Sequence, residues 1–91
     1  MIFEDAMTRE FGKMESLGIM GKRVTSLIQG TVIMRRMPNL KELNLSNNRI
    51  STVASLSELK SLTTLNLSAN RIEELKNLNL PVLTHLFLNF N

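Results

Sequence analysis

Two stretches of this chain carry the same pattern. Leu40-Lys41-Glu42-Leu43-Asn44-Leu45-Ser46-Asn47-Asn48-Arg49-Ile50 and Leu62-Thr63-Thr64-Leu65-Asn66-Leu67-Ser68-Ala69-Asn70-Arg71-Ile72 both read L-x-x-L-x-L-x-x-N-x-I, offset by 22 residues. A third copy begins 21 residues later with Leu83, Leu86, Leu88 and Asn91. A weaker one lies 26 residues before the first, with Met14, Leu17, Ile19, Lys22 and Val24. Self-similarity at this period is the signature of a chain that buries its apolar side chains between stacked copies of one small unit.

The internal spacing says what each unit is. L-x-L is the strand period and sets two leucines on one face of a short strand. Between copies, Ile50, Val53, Leu56, Leu59 and Leu62 step by three, and Ile72, Leu75 and Leu78 do the same. That step is close to one 3₁₀ or loose helical turn, with one inward side chain per turn. Each unit is therefore expected to be a strand, a bend and a helical return. Asn48, Asn70 and Asn91 stand at an inward polar position, which is costly unless hydrogen-bonded. Asparagine has both donors and an acceptor to pair with the backbone of the bend, so stacked units would form an Asn ladder.

These residues resemble the leucine-rich-repeat family over positions 14–91, and the 22-residue length is similar to its short class, which includes a regulatory subunit of type-1 protein phosphatase and an axonemal dynein light chain. The resemblance implies a curved parallel sheet on the concave side with helical turns behind it; with the N-terminal capping helix read below, the expected fold is α/β, a right-handed solenoid. It implies a protein-interaction scaffold. It does not choose the partner, because one fold carries unrelated functions.

The chain departs from the pattern in its first unit. Lys22 replaces the ladder Asn, so that bend is expected to be looser, with the ammonium in solvent. The unit is also longer. The extra residues fall in 25–38, where Ile28, Val32, Ile33, Met34 and Met37 predict a longer helical return, ended by Pro38.

Residues 1–13 form the expected cap. Phe3, Met7, Phe11 and Met14 make an amphipathic stripe, Glu4 and Asp5 favour the helix start, and Gly12 would end it. The competing use of such a helix, binding a partner or a membrane, has little support from a polar face whose only cations are Arg9 and Lys13. The domain plan is thus a capping helix over 1–13 and a repeat domain over 14–91, with units starting near 14, 40, 62 and 83. At the other end the pattern stops on the ladder position Asn91. Two explanations compete: a fragment of a longer solenoid, or an edge covered by a second copy of the chain.

Composition narrows the chemistry. With 91 residues there is one domain at most, and with four Phe, no Trp and no Tyr the core must be aliphatic. The absence of cysteine excludes disulfides, thiolate metal sites and a thiol nucleophile, and fits a reducing compartment. The net charge of +3 is spread along both halves, as on a solvated surface. With no basic, apolar leader at Met1 and no run of about 18 apolar residues, the expectation is a soluble, cytoplasmic protein with no membrane partner.

Function is expected on the strand face opposite the leucines. Alternation aligns Ser16, Glu42, Thr64 and His85 in one row, Gly18, Asn44, Asn66 and Phe87 in a second, Met20, Ser46, Ser68 and Asn89 in a third, and Gly21, Asn47, Ala69 and Phe90 in a fourth. The candidate partner-binding residues are Met20, Glu42, Asn44, Thr64, Asn66, His85, Phe87, Asn89 and Phe90. Phe87 and Phe90 are exposed by register; they are either interface anchors or side chains that pack on a further unit. His85 is the only histidine, and Glu42 in its row is two strands away, about 10 Å, too far for a direct pair. Lys22, Arg23, Arg49 and Arg71 form a basic ridge beside the bends, able to dock phosphate or acidic tails but also a common solubilising feature. Nucleophile–base pairs, paired carboxylates, phosphate loops and metal clusters are all missing from the pattern, so no enzyme activity and no cofactor is expected. The alternatives to a concave-face scaffold are homodimerisation through the C-terminal edge and phosphate or nucleic-acid binding at the ridge. The dispersed charge and scarce aromatics make nucleic acid a poor fit.

Overall fold

The computed structural model describes residues 12–25 and 36–91. Four strands of three residues each, β1 (Ser16–Gly18), β2 (Glu42–Asn44), β3 (Thr64–Asn66) and β4 (His85–Phe87), form one sheet in chain order. Every neighbouring pair is parallel. The register joins Leu17, Leu43, Leu65 and Leu86, the offsets at which the sequence repeats. The strand-like pairing runs on past each strand: Leu45 N–H donates to the Asn66 carbonyl at 2.8 Å, and Asn47 N–H to that of Ser68 at 3.0 Å. Successive units are thus bonded through the strand and around the bend.

The return from β2 to β3 shows why apolar residues step by three. Its 3₁₀ segment is Ala54–Glu58. The Leu56, Leu59 and Leu62 amides each donate to the carbonyl of the inward residue three before, at 3.0, 3.0 and 3.2 Å. The hydrogen-bond step and the hydrophobic step are the same, so each turn closes on itself and turns one side chain inward. Ile50, Val53, Leu56, Leu59 and Leu62 are all 0–1% exposed. With Met37, Leu40, Leu43, Leu45, Leu65, Leu67 and Ile72 they make a single core. Each fully buried leucine contributes about 1.5–3 kcal/mol of transfer free energy.

The return from β3 to β4 corrects the expectation of a second helical return. No helix forms over Ile72, Leu75 and Leu78. Ile72 is buried, but Leu75 is 39% exposed and Leu78 half-buried. This return is one residue shorter and turns at Asn77 with φ +62°. Among the described residues it lies against one other return, that from β2 to β3. Ser57 anchors it: the Ser57 hydroxyl donates to the Asn77 carbonyl at 3.2 Å and accepts from Asn79 N–H at 2.8 Å.

The helix expected over residues 2–13 lies outside the described residues except for Gly12 and Lys13, which are helical; the Gly12 carbonyl accepts from Asn39 Nδ2 at 2.8 Å. The longer helical return expected over 25–38 also falls mostly outside them. Among the described residues, no helix is long and apolar enough to cross a membrane.

Candidate recognition face

The bends place the functional face. Gly21, Asn47, Ala69 and Phe90 hold the same position in successive units, and all four are left-handed, with φ of 65°, 58°, 56° and 63°. This reverses the chain out of the strand and into the return. It also corrects one reading of the face: these four residues are not a fourth row on the sheet but the hinge of each bend. Glycine and asparagine adopt this conformation readily, whereas alanine and phenylalanine do so at a cost. Phe90 therefore stands off the sheet, 88% exposed, at a strained position. The recurrence of Gly and Asn at that position was the available signal, and Ala69 and Phe90 obscured it.

One residue later the ladder closes the bend. Asn48 Oδ1 accepts from the Lys22 and Val24 amides at 3.0 and 3.1 Å, and its Nδ2 donates to the carbonyls of Ile19, Leu45 and Ser46 at 2.7, 2.9 and 3.2 Å. Asn70 accepts from Ile50 N–H at 3.0 Å and donates to Leu45 and Leu67 carbonyls at 2.9 and 3.0 Å. Asn91 accepts from Ile72 N–H at 3.0 Å and donates to Leu67 and Leu88 carbonyls at 2.8 and 3.0 Å. Each asparagine bonds its own bend and the bend of the unit before it. Lys22, at the ladder position of the first described unit, has its own amide held by Asn48. Lys22 is exposed, and its bend has a second left-handed residue, Arg23 at φ +57°.

With the leucines turned inward, the opposite side of the sheet is an open groove of about 290 Å³. Its lining includes Ser16, Gly18, Glu42, Asn44, Thr64, Asn66 and Phe87. The register sets Ser16, Glu42, Thr64 and His85 in one row and Gly18, Asn44, Asn66 and Phe87 in the other. Asn44 and Asn66 have a structural duty that spacing did not reveal. Their Oδ1 atoms accept from the Ser46 and Ser68 amides, both at 3.0 Å, and so fix where the strand ends. Phe87 in the same row has no acceptor, and Asn89 N–H bonds instead to the Ser68 hydroxyl at 3.2 Å.

The remaining candidates divide. Met20 is 48% exposed and its sulfur lies over Gly18, where a Cβ would come within 2.9 Å of it. His85 is exposed, with Nδ1 2.9 Å from the Thr84 hydroxyl. That hydroxyl donates to the Thr63 carbonyl at 3.0 Å. Its single proton is therefore used, so in this contact the ring Nδ1–H donates to the hydroxyl oxygen. Arg23, Arg49 and Arg71 are exposed beside the bends, at the opposite rim from the row of Glu42. The Arg49 and Arg71 amides pair with the Val24 and Ile50 carbonyls of the preceding unit at 2.8 and 2.9 Å.

A sheet of short parallel strands in chain order, with leucines on one side and an asparagine ladder at every bend, defines a protein of stacked coils. The leucine-rich-repeat profile matches residues 13–72, and a second repeat profile matches 61–86. The chain belongs to the leucine-rich-repeat family, whose repeats generally mediate contacts between proteins. No curated protein matches this sequence.

Proposed function

We propose that the chain is a non-catalytic recognition module, a short right-handed solenoid that presents the outward face of its sheet to another protein. The observation that carries this reading is the segregation of the two faces. Leu43, Leu45, Leu65 and Leu67 fill the core, while the opposite rows present small polar groups and one aromatic in an open groove. The right-handed course is supported by the parallel pairing of successive strands, since crossovers between parallel neighbours take that hand almost without exception. A cytoplasmic setting is supported by the cysteine-free sequence. The groove brings together a carboxylate, two amides, hydroxyls and Phe87, which suits binding and orientation.

The test is affinity capture from the source cells with three forms of the protein. The parent should retain a partner, Thr64→Trp should lose it by filling the middle of the groove, and Lys60→Ala on the return should keep it. Loss on replacing Arg49 and Arg71, with Thr64→Trp still binding, would move the function to the basic rim.

A further inference from the structure

We infer that the groove takes an extended peptide segment with a lysine or arginine about three or four residues from an aromatic or branched apolar side chain. The inference rests on the recognition role proposed above and specifies the partner's chemistry.

Charge comes first. Among the described residues, Glu42 is the one charged residue lining the groove, and the rest of that lining is neutral. The ammonium of Lys41, the residue before Glu42, lies 3.7 Å from the Glu15 carboxylate and so is directed at another acid. Across the sheet, beyond the bends, the rim holds the exposed Lys22, Arg23, Arg49 and Arg71. A cation on the ligand is drawn to the Glu42 side and repelled from the other, which fixes its direction as well as its site.

The apolar anchor is Phe87, 44% exposed where the two preceding units have asparagine. From Glu42 it is two strands across and two residues along. At about 4.8 Å per strand and 3.3 Å per residue, the separation is about 12 Å. An extended chain spans that in three or four residues.

An extended ligand suits the two anchors, because a short extended segment spans the distance between them directly. Asn44 and Asn66 stand between the anchors. Their Oδ1 atoms are held by their own backbone, so Nδ2 is the group left to donate to the carbonyls of an extended chain.

A display library of random short peptides, selected on the full chain, tests this. The peptides enriched should place Lys or Arg three or four positions from Phe, Leu or Ile. Synthetic copies, measured by fluorescence anisotropy, should weaken about tenfold against Glu42→Lys and less against Glu42→Gln. Selection on Glu42→Lys should replace the cation with Asp or Glu, and selection on Phe87→Ser should lose the apolar preference. Thermal melts show that each variant is folded. Peptides without the cation that still fail to bind Thr64→Trp would overturn the inference and leave the recognition face standing. Peptides indifferent to Thr64→Trp, or acidic ones dependent on Arg49 and Arg71, would overturn both. Failure to enrich any peptide also overturns the inference, while the protein capture above still tests the face.

Discussion

The third and fourth units have the same leucine spacing and different interiors. Leu65 and Leu67 are 0% exposed, whereas Leu86 and Leu88, their partners across the sheet, are only half-buried. Nothing in the local pattern separates them. The third unit has a described coil on each side, and the fourth has one. Burial in a stacked repeat is therefore a property of position in the stack, supplied by neighbours.

The largest effect should come from emptying the better-packed of these sites. Leu65→Ala should lower stability by about 2–5 kcal/mol in a denaturant melt, the sum of lost transfer energy and the cavity left behind. Leu86→Ala, the same change one unit on, should cost about half as much, because water already reaches the site. Equal losses at both would show that the fourth unit is as enclosed as the third.

The ladder sharpens the same contrast. Asn70 is 8% exposed and bonds into two bends, while Asn91 makes the equivalent bonds from an exposed position. Asn70→Leu should destabilise by about 1–3 kcal/mol, since the Ile50 amide and the Leu45 and Leu67 carbonyls would lose a partner out of reach of water. Asn91→Leu should cost less, because water can replace the lost partner. A parent-like melting temperature for Asn70→Leu would refute the account of the ladder.

The smallest effect has the opposite sign. Ala69 holds the left-handed hinge position that asparagine holds in the preceding unit, as Asn47. Ala69→Asn should raise stability by about 0.5–1 kcal/mol by relieving strain in the folded backbone. A lower melting temperature would show that the alanine methyl, half-buried there, contributes more to packing than the strain costs.

These particulars separate what was legible in the sequence from what was not. The strand positions, their parallel register and the inward leucines follow from a period of 21–26 residues combined with an alternation of two, because both are set by local backbone geometry. The two outward rows followed from the same alternation, and so did the exposure of Phe87. The return after Ile72 did not. Its step of three matches that of the preceding return, yet Leu75 faces solvent. The left-handed turn at Asn77 breaks the run of three-residue turns before it can continue.

The identity of the hinge residues was likewise set by the fold. Ala69 and Phe90 have no intrinsic tendency to turn left-handed and do so because the pairing of neighbouring units requires it. The double role of Asn44 and Asn66, and the backward reach of each ladder asparagine, depend on which amide or carbonyl lies within about 3 Å. By itself the sequence determined which residues face inward and where each coil begins, since periodicity is a property of one chain segment. Only the tertiary structure decided how deeply each leucine is buried, which polar group each asparagine holds and where Glu42 stands relative to Phe87, since all three arise between segments far apart in the chain.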